Sequence, residues 1–410
     1  MPILFATVLI DLIGFGIIIP ILPFMAPALG ASNFDIALII AIYSLFGGLV
    51  GPFWGKLSDK LGRKPVLLIC LGGAALSYVL LAFSTTLTML YISRALAGIM
   101  AGNFGVASAM IADITPPQQR AKAMGMIGAA FGLGLVIGPF LGGILAGDDG
   151  NYFLVGMVAA GLSATALLAG LLFLDESLDA GQRSEQNAHR AEFGDGGSLL
   201  RMLRDSGNSL LAVQFFLQNS CHTIVSYLFP LWVGASLGWG AKEVGMVFGA
   251  QGIAMALLQA GLIGMLVRHM GELKLLLLGA SAMAAGFVVA ATATTTPGIL
   301  IAFFMTITGG TVCTPVLNAL VANRTPAHLR GRMLGTTSSS SAFGRVFGPL
   351  LGGVLLALFG FDIAWLGGTT VALLIVIWAL SQIVRPTDPE PPVAVATANP
   401  GPSGGNRHGA

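Results

Sequence analysis

The chain has 410 residues, 55% of them hydrophobic and 9% charged, with a mean hydropathy of +0.86; a soluble domain carries about 25% charged residues. That composition excludes a soluble enzyme or binding module and implies a chain whose solvent is mostly lipid. The net charge of +2 arises from short basic loops, so no nucleic-acid surface is read from it.

The first apolar run, Ile3 to Met25 with Ala26 to Ala31 behind it, is long for a signal peptide. It lacks a basic start, contains Asp11 and is followed at once by another span, so it is expected to stay as a helix. Stretches of about 20 apolar residues, enough for roughly 30 Å of hydrocarbon, recur along the chain. They lie at 3–26, 35–55, 65–85, 88–112, 121–146, 152–174, 209–234, 244–267, 273–295, 298–322, 331–358 and 362–384. The expected fold class is an all-α integral membrane protein with 12 transmembrane helices in two six-helix halves, 1–174 and 209–384. The polar stretch 175–208 reads as a cytoplasmic linker. The tail 385–410, rich in Pro, Ala and Gly, reads as disordered. Cys70, Cys221 and Cys313 sit far apart in apolar segments and read as small fillers, not as a metal or disulfide set.

With the N-terminus taken as cytoplasmic, 17 of the 20 Lys and Arg fall on the inner side. Lys242 is the one base outside, and Arg94 and Arg345 lie within spans. By the positive-inside rule both termini are expected in the cytoplasm.

The halves repeat at an offset of 210 residues: Pro20 with Pro230, Thr115-Pro116 with Thr325-Pro326, Arg120 with Arg330, Gly125 with Gly335. Gly138-Pro139 and Gly142-Gly143 match Gly348-Pro349 and Gly352-Gly353 in the same frame. The loop from Gly55 to Gly62 has an echo from Gly264 to Gly271, at an offset of 209. A parallel repeat of this kind implies halves related by an axis along the membrane normal, with a substrate site between them near the midplane.

Four features carry chemistry. The loop after span two reads Gly55-Lys-Leu-Ser-Asp59-Lys-Leu-Gly62-Arg63-Lys64-Pro65, with one acid among four bases. Asp113, at the inner end of span four, is placed to pair with Arg63. Span five carries Gly134-x-x-x-Gly138-Pro139-x-x-Gly142-Gly143, a face of small residues that lets a neighbouring helix come close, with a proline that bends it. Asp11 in span one and Arg94 in span four are ionisable groups inside the membrane, hence functional by default. Helix rise puts them at depths an Arg side chain largely bridges. A carboxyl caught between burial and a guanidinium is suited to load and lose a proton as helices move. Candidate cavity residues are Asn103, Gln214, Gln218, His222, Gln251, Asn318 and Arg345, although polar residues on span seven more often join helices than bind substrate.

The Gly55–Pro65 loop resembles the signature loop of the major facilitator superfamily, and the resemblance extends over nearly the whole chain. It implies that Asp59 holds the halves shut on the cytoplasmic side by capping a helix start in the second half, where partial positive charge favours an acid. The span-five run resembles the Gly-Pro-x-x-Gly-Gly signature of proton-coupled drug antiporters, which implies export. The first-span run Asp11 to Pro23, the Ser-Asp-Lys-Leu-Gly-Arg-Lys-Pro loop and Leu80 to Ser84 resemble bacterial tetracycline/proton antiporters. Those exporters also carry carboxylates in spans three and nine; here the third-span position is Ser77 and Leu275 to Thr295 contains no acid. One-proton exchange for a neutral or weakly charged amphipathic compound follows, by alternating access in a bacterial inner membrane. Proton-coupled uptake or metabolite export on the same fold is the alternative, and a receptor or chaperone without transport a more distant one. The expected partners are a small molecule, protons and the bilayer, with a monomer and without cofactor, metal or nucleic acid. No phosphate-binding loop, His-Glu metal motif or nucleophile elbow occurs in the sequence, so no enzyme activity is expected.

Overall fold

The computed structural model describes residues 2–116, 119–177, 206–325 and 330–384; the expected disordered tail and all but the ends of the expected linker lie outside them. All regular structure among the described residues is helical. In the first half, α1 (Pro2–Ile18) and α2 (Leu22–Ala28) form a pair bent by 48°, the bend falling where Pro20 lacks a backbone donor. Next come α3 (Asn33–Leu61), opened by a capping box between Ser32 and Asp35, and α4 (Arg63–Ala82). Gly62 turns the chain between them at a φ of 110°, a conformation that excludes most other residues. Span four is broken into α5 (Leu87–Ile99) and α6 (Asn103–Ile114), and α7 (Arg120–Ala146) and α8 (Tyr152–Phe173) complete the half.

The second half comprises α9 (Ser206–Leu237), α10 (Ala241–Leu257), a π turn at Leu258–Leu262, α11 (Ile263–Met270), α12 (Glu272–Thr292), α13 (Thr296–Arg324), α14 (Arg330–Phe359) and α15 (Phe361–Val384). Every expected span thus has a helical counterpart among the described residues. Nine segments are long and apolar enough to cross a membrane, and the bent α1–α2 pair makes ten. The other two fall short for visible reasons. Gln214, Gln218, Asn219 and His222 dilute α9, and α10 has only 17 residues before the π turn. Large apolar side chains point outward along the bundle, Leu172 at 69%, Leu358 at 68% and Ile377 at 61% exposure, as a lipid-facing surface requires and a water-facing one does not tolerate.

Glycines set how closely the helices pack, and they do so twice in the same pattern. A Cβ on Gly134 would fall 2.6 Å from Leu12 Cβ, and one on Gly138 2.6 Å from Gly16 Cα; Gly142 lies against the Ile17 carbonyl. These three, four residues apart, seat α7 on α1. At the positions 210 residues later, Gly344 lies against the Phe216 carbonyl, and Cβ atoms on Gly348 and Gly352 would fall 2.5 Å from the Ser220 carbonyl and 3.2 Å from Tyr227 Cδ1. They seat α14 on α9. The next glycine of each run faces the opposite half: a Cβ on Gly143 would come within 2.9 Å of Gly245 Cα on α10, and one on Gly353 within 2.6 Å of Ala37 Cβ on α3.

Contacts among the described residues close the seams between the halves at one end. Away from the Gly55–Pro65 loop, α7 and α10 touch from Gly143–Gly245 down to Val136–Gly252. Tyr227 Oη donates to the Asn33 carbonyl at 2.6 Å, and Lys242 Nζ meets Asp148 Oδ1 at 3.0 Å. Toward the loop end, a Cβ placed on Gly125, Gly128 or Gly132 of α7, Gly335 of α14, Gly261 or Gly264 beyond α10, or Gly51 or Gly55 of α3 would meet no described atom within 4 Å. Among the described residues, the closest contacts between the halves thus lie at the end away from the loop. Because Lys242 and Asp148 are both well exposed, Lys242→Gln is expected to change transport by no more than about twofold, less at high salt; initial rates at low and high ionic strength check this.

Candidate substrate and ion-coupling site

The site begins at the break in span four. Gly98 of α5 packs so closely on α3 that a Cβ there would fall 2.5 Å from the Tyr43 carbonyl, and Gly102 is likewise pressed on the Trp54 ring at 2.5 Å. The helix stops at Ile99, and Trp54 Nε1 donates to the Ile99 carbonyl at 2.5 Å, taking up an acceptor that an unbroken helix would have satisfied itself. The restart at Asn103 turns its side-chain amide toward α1, where it donates to Asp11 Oδ2. Ser163 Oγ of α8 donates to Asp11 Oδ1 at 2.8 Å. Asp11 is only 3% exposed, and these two donors are what a carboxyl in hydrocarbon needs. A narrow crevice lined by Thr7, Val8, Leu12, Leu67, Leu71 and Phe104 reaches Asp11 and Asn103.

Arg94 does not pair directly with Asp11; no ion pair joins them, and Arg94 Nε and Nη2 are buried without a hydrogen-bond partner among the described residues. An unbroken span four would bring the two groups within reach of each other. The turn at Met100–Gly102 instead interposes Asn103, which takes the carboxyl, while the Arg94 guanidinium lies 5.9 Å from the centre of the Tyr78 ring, in cation–π range. Tyr43 lies near both groups. It stacks on Phe15 at 5.2 Å and 26°, and Arg94, Asp11 and, from the other half, Arg345 all lie within Coulombic reach of its phenol. Arg345 is also within Coulombic reach of His222.

The other candidate cavity residues divide. Gln218 donates to the Gly310 carbonyl at 3.2 Å, and its neighbour Asn219 donates to Ser341 Oγ at 3.1 Å, so this pair ties α9 to α13 and α14. Gln214 is 2% exposed and its carbonyl oxygen has no partner among the described residues. His222 and Gln251 are half-buried and Asn318 is exposed.

The loop residues assemble around Arg63. Its Nη1 meets Asp59 Oδ1 at 2.7 Å and Ser58 Oγ at 2.6 Å, and its Nε meets Asp113 Oδ2 at 2.9 Å. Glu176, which sequence reasoning missed, accepts from the backbone N–H groups of Arg63 at 2.8 Å and Lys64 at 3.2 Å. An acid one turn past span six was its only signal; at a helix start it offsets unpaired donors and the dipole. The second-half helix start assigned to Asp59 by resemblance borders residues 326–329, outside the described set. A reduced echo stands in the second half: Asn323 Nδ2 donates to Glu272 Oε1 at 2.8 Å, at the positions of Asp113 and Arg63 shifted by 210 and 209. Asp59→Asn is expected to abolish transport while the protein remains folded in the membrane; uptake and efflux assays beside a surface-expression measurement decide it, and full activity would overturn that role.

Two parallel-repeated bundles of membrane-crossing helices, enclosing a cleft with a buried acid and two arginines, define the scaffold of a polytopic transport protein. The chain belongs to the Major Facilitator Superfamily, whose model matches residues 4–259 and 211–404. It is 31% identical over 349 residues to the class E tetracycline resistance protein of Escherichia coli, covering 84% of each chain. It is 28% identical over 366 residues to multidrug resistance protein 2 of Bacillus subtilis, covering 87% of this chain and 88% of that one. Among solved structures, that of the human organic anion transporter MFSD10 superposes with a TM-score of 0.68 at 24% identity, covering 92% of this chain and 98% of that one, a likeness of fold.

Proposed function

We propose that the chain exports a small amphipathic compound in exchange for a proton across a bacterial inner membrane, by alternating access between the two halves. The observation that carries this reading is Asp11: a carboxyl buried in the first half, held by one hydrogen bond on each oxygen, with a helix break and an unpaired arginine beside it. The Asn103 and Ser163 contacts come from α6 and α8, so relative movement of α1 changes the carboxyl's surroundings, and with them its hold on a proton. With both termini in the cytoplasm, the loop end is the inner end, the side from which an exporter loads, and the closed α7–α10 seam lies at the outer end. The similarity to tetracycline and multidrug resistance proteins supports export over uptake. Ser77 instead of a third-span acid, its hydroxyl bonded to the Ala74 carbonyl at 2.7 Å, supports a single proton and a compound other than a metal-chelated drug.

The test is dissipation of a pH gradient in everted membrane vesicles with an acid interior, over a panel of amphipathic compounds. An exporter releases interior protons when its substrate is added outside. A proton symporter releases none, and that outcome, or no response across the panel, overturns the proposal.

A further inference from the structure

We infer that the stacked rings of Phe15 and Tyr43 are the floor of the substrate site, and that Arg94 and Arg345 flanking them restrict it to planar aromatic compounds without positive charge. The inference rests on the exchange reading above and specifies its substrate.

Position comes first. Phe15 lies one helical turn beyond Asp11 on α1. Gly98 packs on the Tyr43 carbonyl, so Arg94 stands one turn from Tyr43 on α5. Across the cleft, α14 runs against α3 through Gly48 with Ala342 and Ala37 with Gly353, a register that brings Arg345 level with Tyr43. The rings are therefore where the halves meet, at the depth of the buried acid. Both are half-buried, and neither packs in the two apolar cores of the bundle. Each ring keeps one face that the other does not cover, and a flat ring system laid on it gains offset stacking.

Charge sets the second condition. Asp11 is the only acid away from the span ends, against Arg94 and Arg345, and its oxygens are occupied by Asn103 and Ser163. Neither arginine has an ion pair among the described residues, and two Arg94 nitrogens lack any acceptor there. The cleft is then positive with Asp11 ionised and more so with it protonated. At the low effective dielectric of such a site a fixed cation is disfavoured in either state. A neutral ring bearing a carbonyl or phenolic oxygen satisfies both conditions, stacking on the floor and offering an acceptor to Arg345, the exposed arginine of the two.

The experiment uses two fluorescent tricycles of nearly the same shape, neutral acridone and the fixed cation N-methylacridinium, titrated into the full-length protein in detergent. Acridone is expected to bind about tenfold tighter or more. Tyr43→Leu should weaken acridone about fivefold or more, whereas Tyr43→Phe, which keeps the ring, should bind as the parent does. Arg345→Gln should admit the cation, bringing the two affinities within about threefold of each other. Equal binding of the two probes to the parent, or acridone binding indifferent to Tyr43→Leu in protein whose melting temperature is unchanged, overturns the inference. Failure of the exchange reading looks different: acridone binds with this pattern, yet no compound dissipates a proton gradient.

Discussion

Asp11→Asn is expected to leave a folded protein that still exchanges substrate down its gradient but has lost proton-driven efflux, by at least about tenfold. The substitution keeps the size of the side chain and one of its acceptor oxygens, so the Ser163 hydrogen bond survives. The other oxygen becomes an amide facing the Asn103 amide, a conflict Asn103 relieves by turning its own carbonyl forward at the expense of the bond it accepts from the Phe104 N–H. The cost to stability is therefore expected at about 1 kcal/mol, too little to remove the protein from the membrane. What disappears is the only group in the first-half interior whose charge changes by taking up a proton. Two readouts separate coupling from folding: gradient dissipation in vesicles, expected at background, and substrate counterflow without a gradient, expected near the parent level. Unchanged gradient-driven efflux would show that the proton travels through another group.

Span positions were readable because lipid imposes a simple rule on length and polarity, and the repeat was readable because glycine and proline tolerate little substitution where helices touch. The offset of 210 pairs glycines that turn out to play the same parts, which the repeat alone did not assign: Gly143 and Gly353 each face the opposite half, while the three glycines before each one face their own. Asp11 and Arg94 stood out because charge inside a span is rare. Their relation was not legible, since apolar patterning does not register a break such as Met100–Gly102, which depends on how closely α3 presses on Gly98 and Gly102. Asn103 appeared only as one polar residue among several, and Ser163 not at all, because a serine in a helix of small residues carries no signal until its neighbour is known. Glu176 was hidden for another reason: its partners are backbone amides across a long stretch of chain, and these have no side-chain signature.

The two glycine seams predict opposite outcomes for one substitution made five residues apart. In Gly138→Leu the added side chain meets α1 at Gly16, where backbone lies against backbone and a Cβ alone would stand 2.6 Å from Cα. Neither helix can yield without disturbing the Asp11 region of the same half, and overpacking of this kind costs about 1–3 kcal/mol or more. Little folded protein is expected, and the measurement is yield of monodisperse protein and its melting temperature. In Gly143→Leu the obstacle is α10, which belongs to the opposite half. In the exchange cycle proposed above that seam must open, so the side chain is expected to be accommodated by parting the halves there while each half keeps its own packing. The same 1–3 kcal/mol then appears as a shift of roughly 5–150-fold toward the state open at the other end. Ala241, 4% exposed in the closed seam, reports this as a single cysteine in a background where Cys70, Cys221 and Cys313, all buried, are replaced by alanine. Its labelling by a water-soluble maleimide should rise about fivefold or more in Gly143→Leu relative to the glycine parent. If labelling stays low while melting falls as far as in Gly138→Leu, the α7–α10 contact is a fixed part of the fold and the moving surface lies elsewhere.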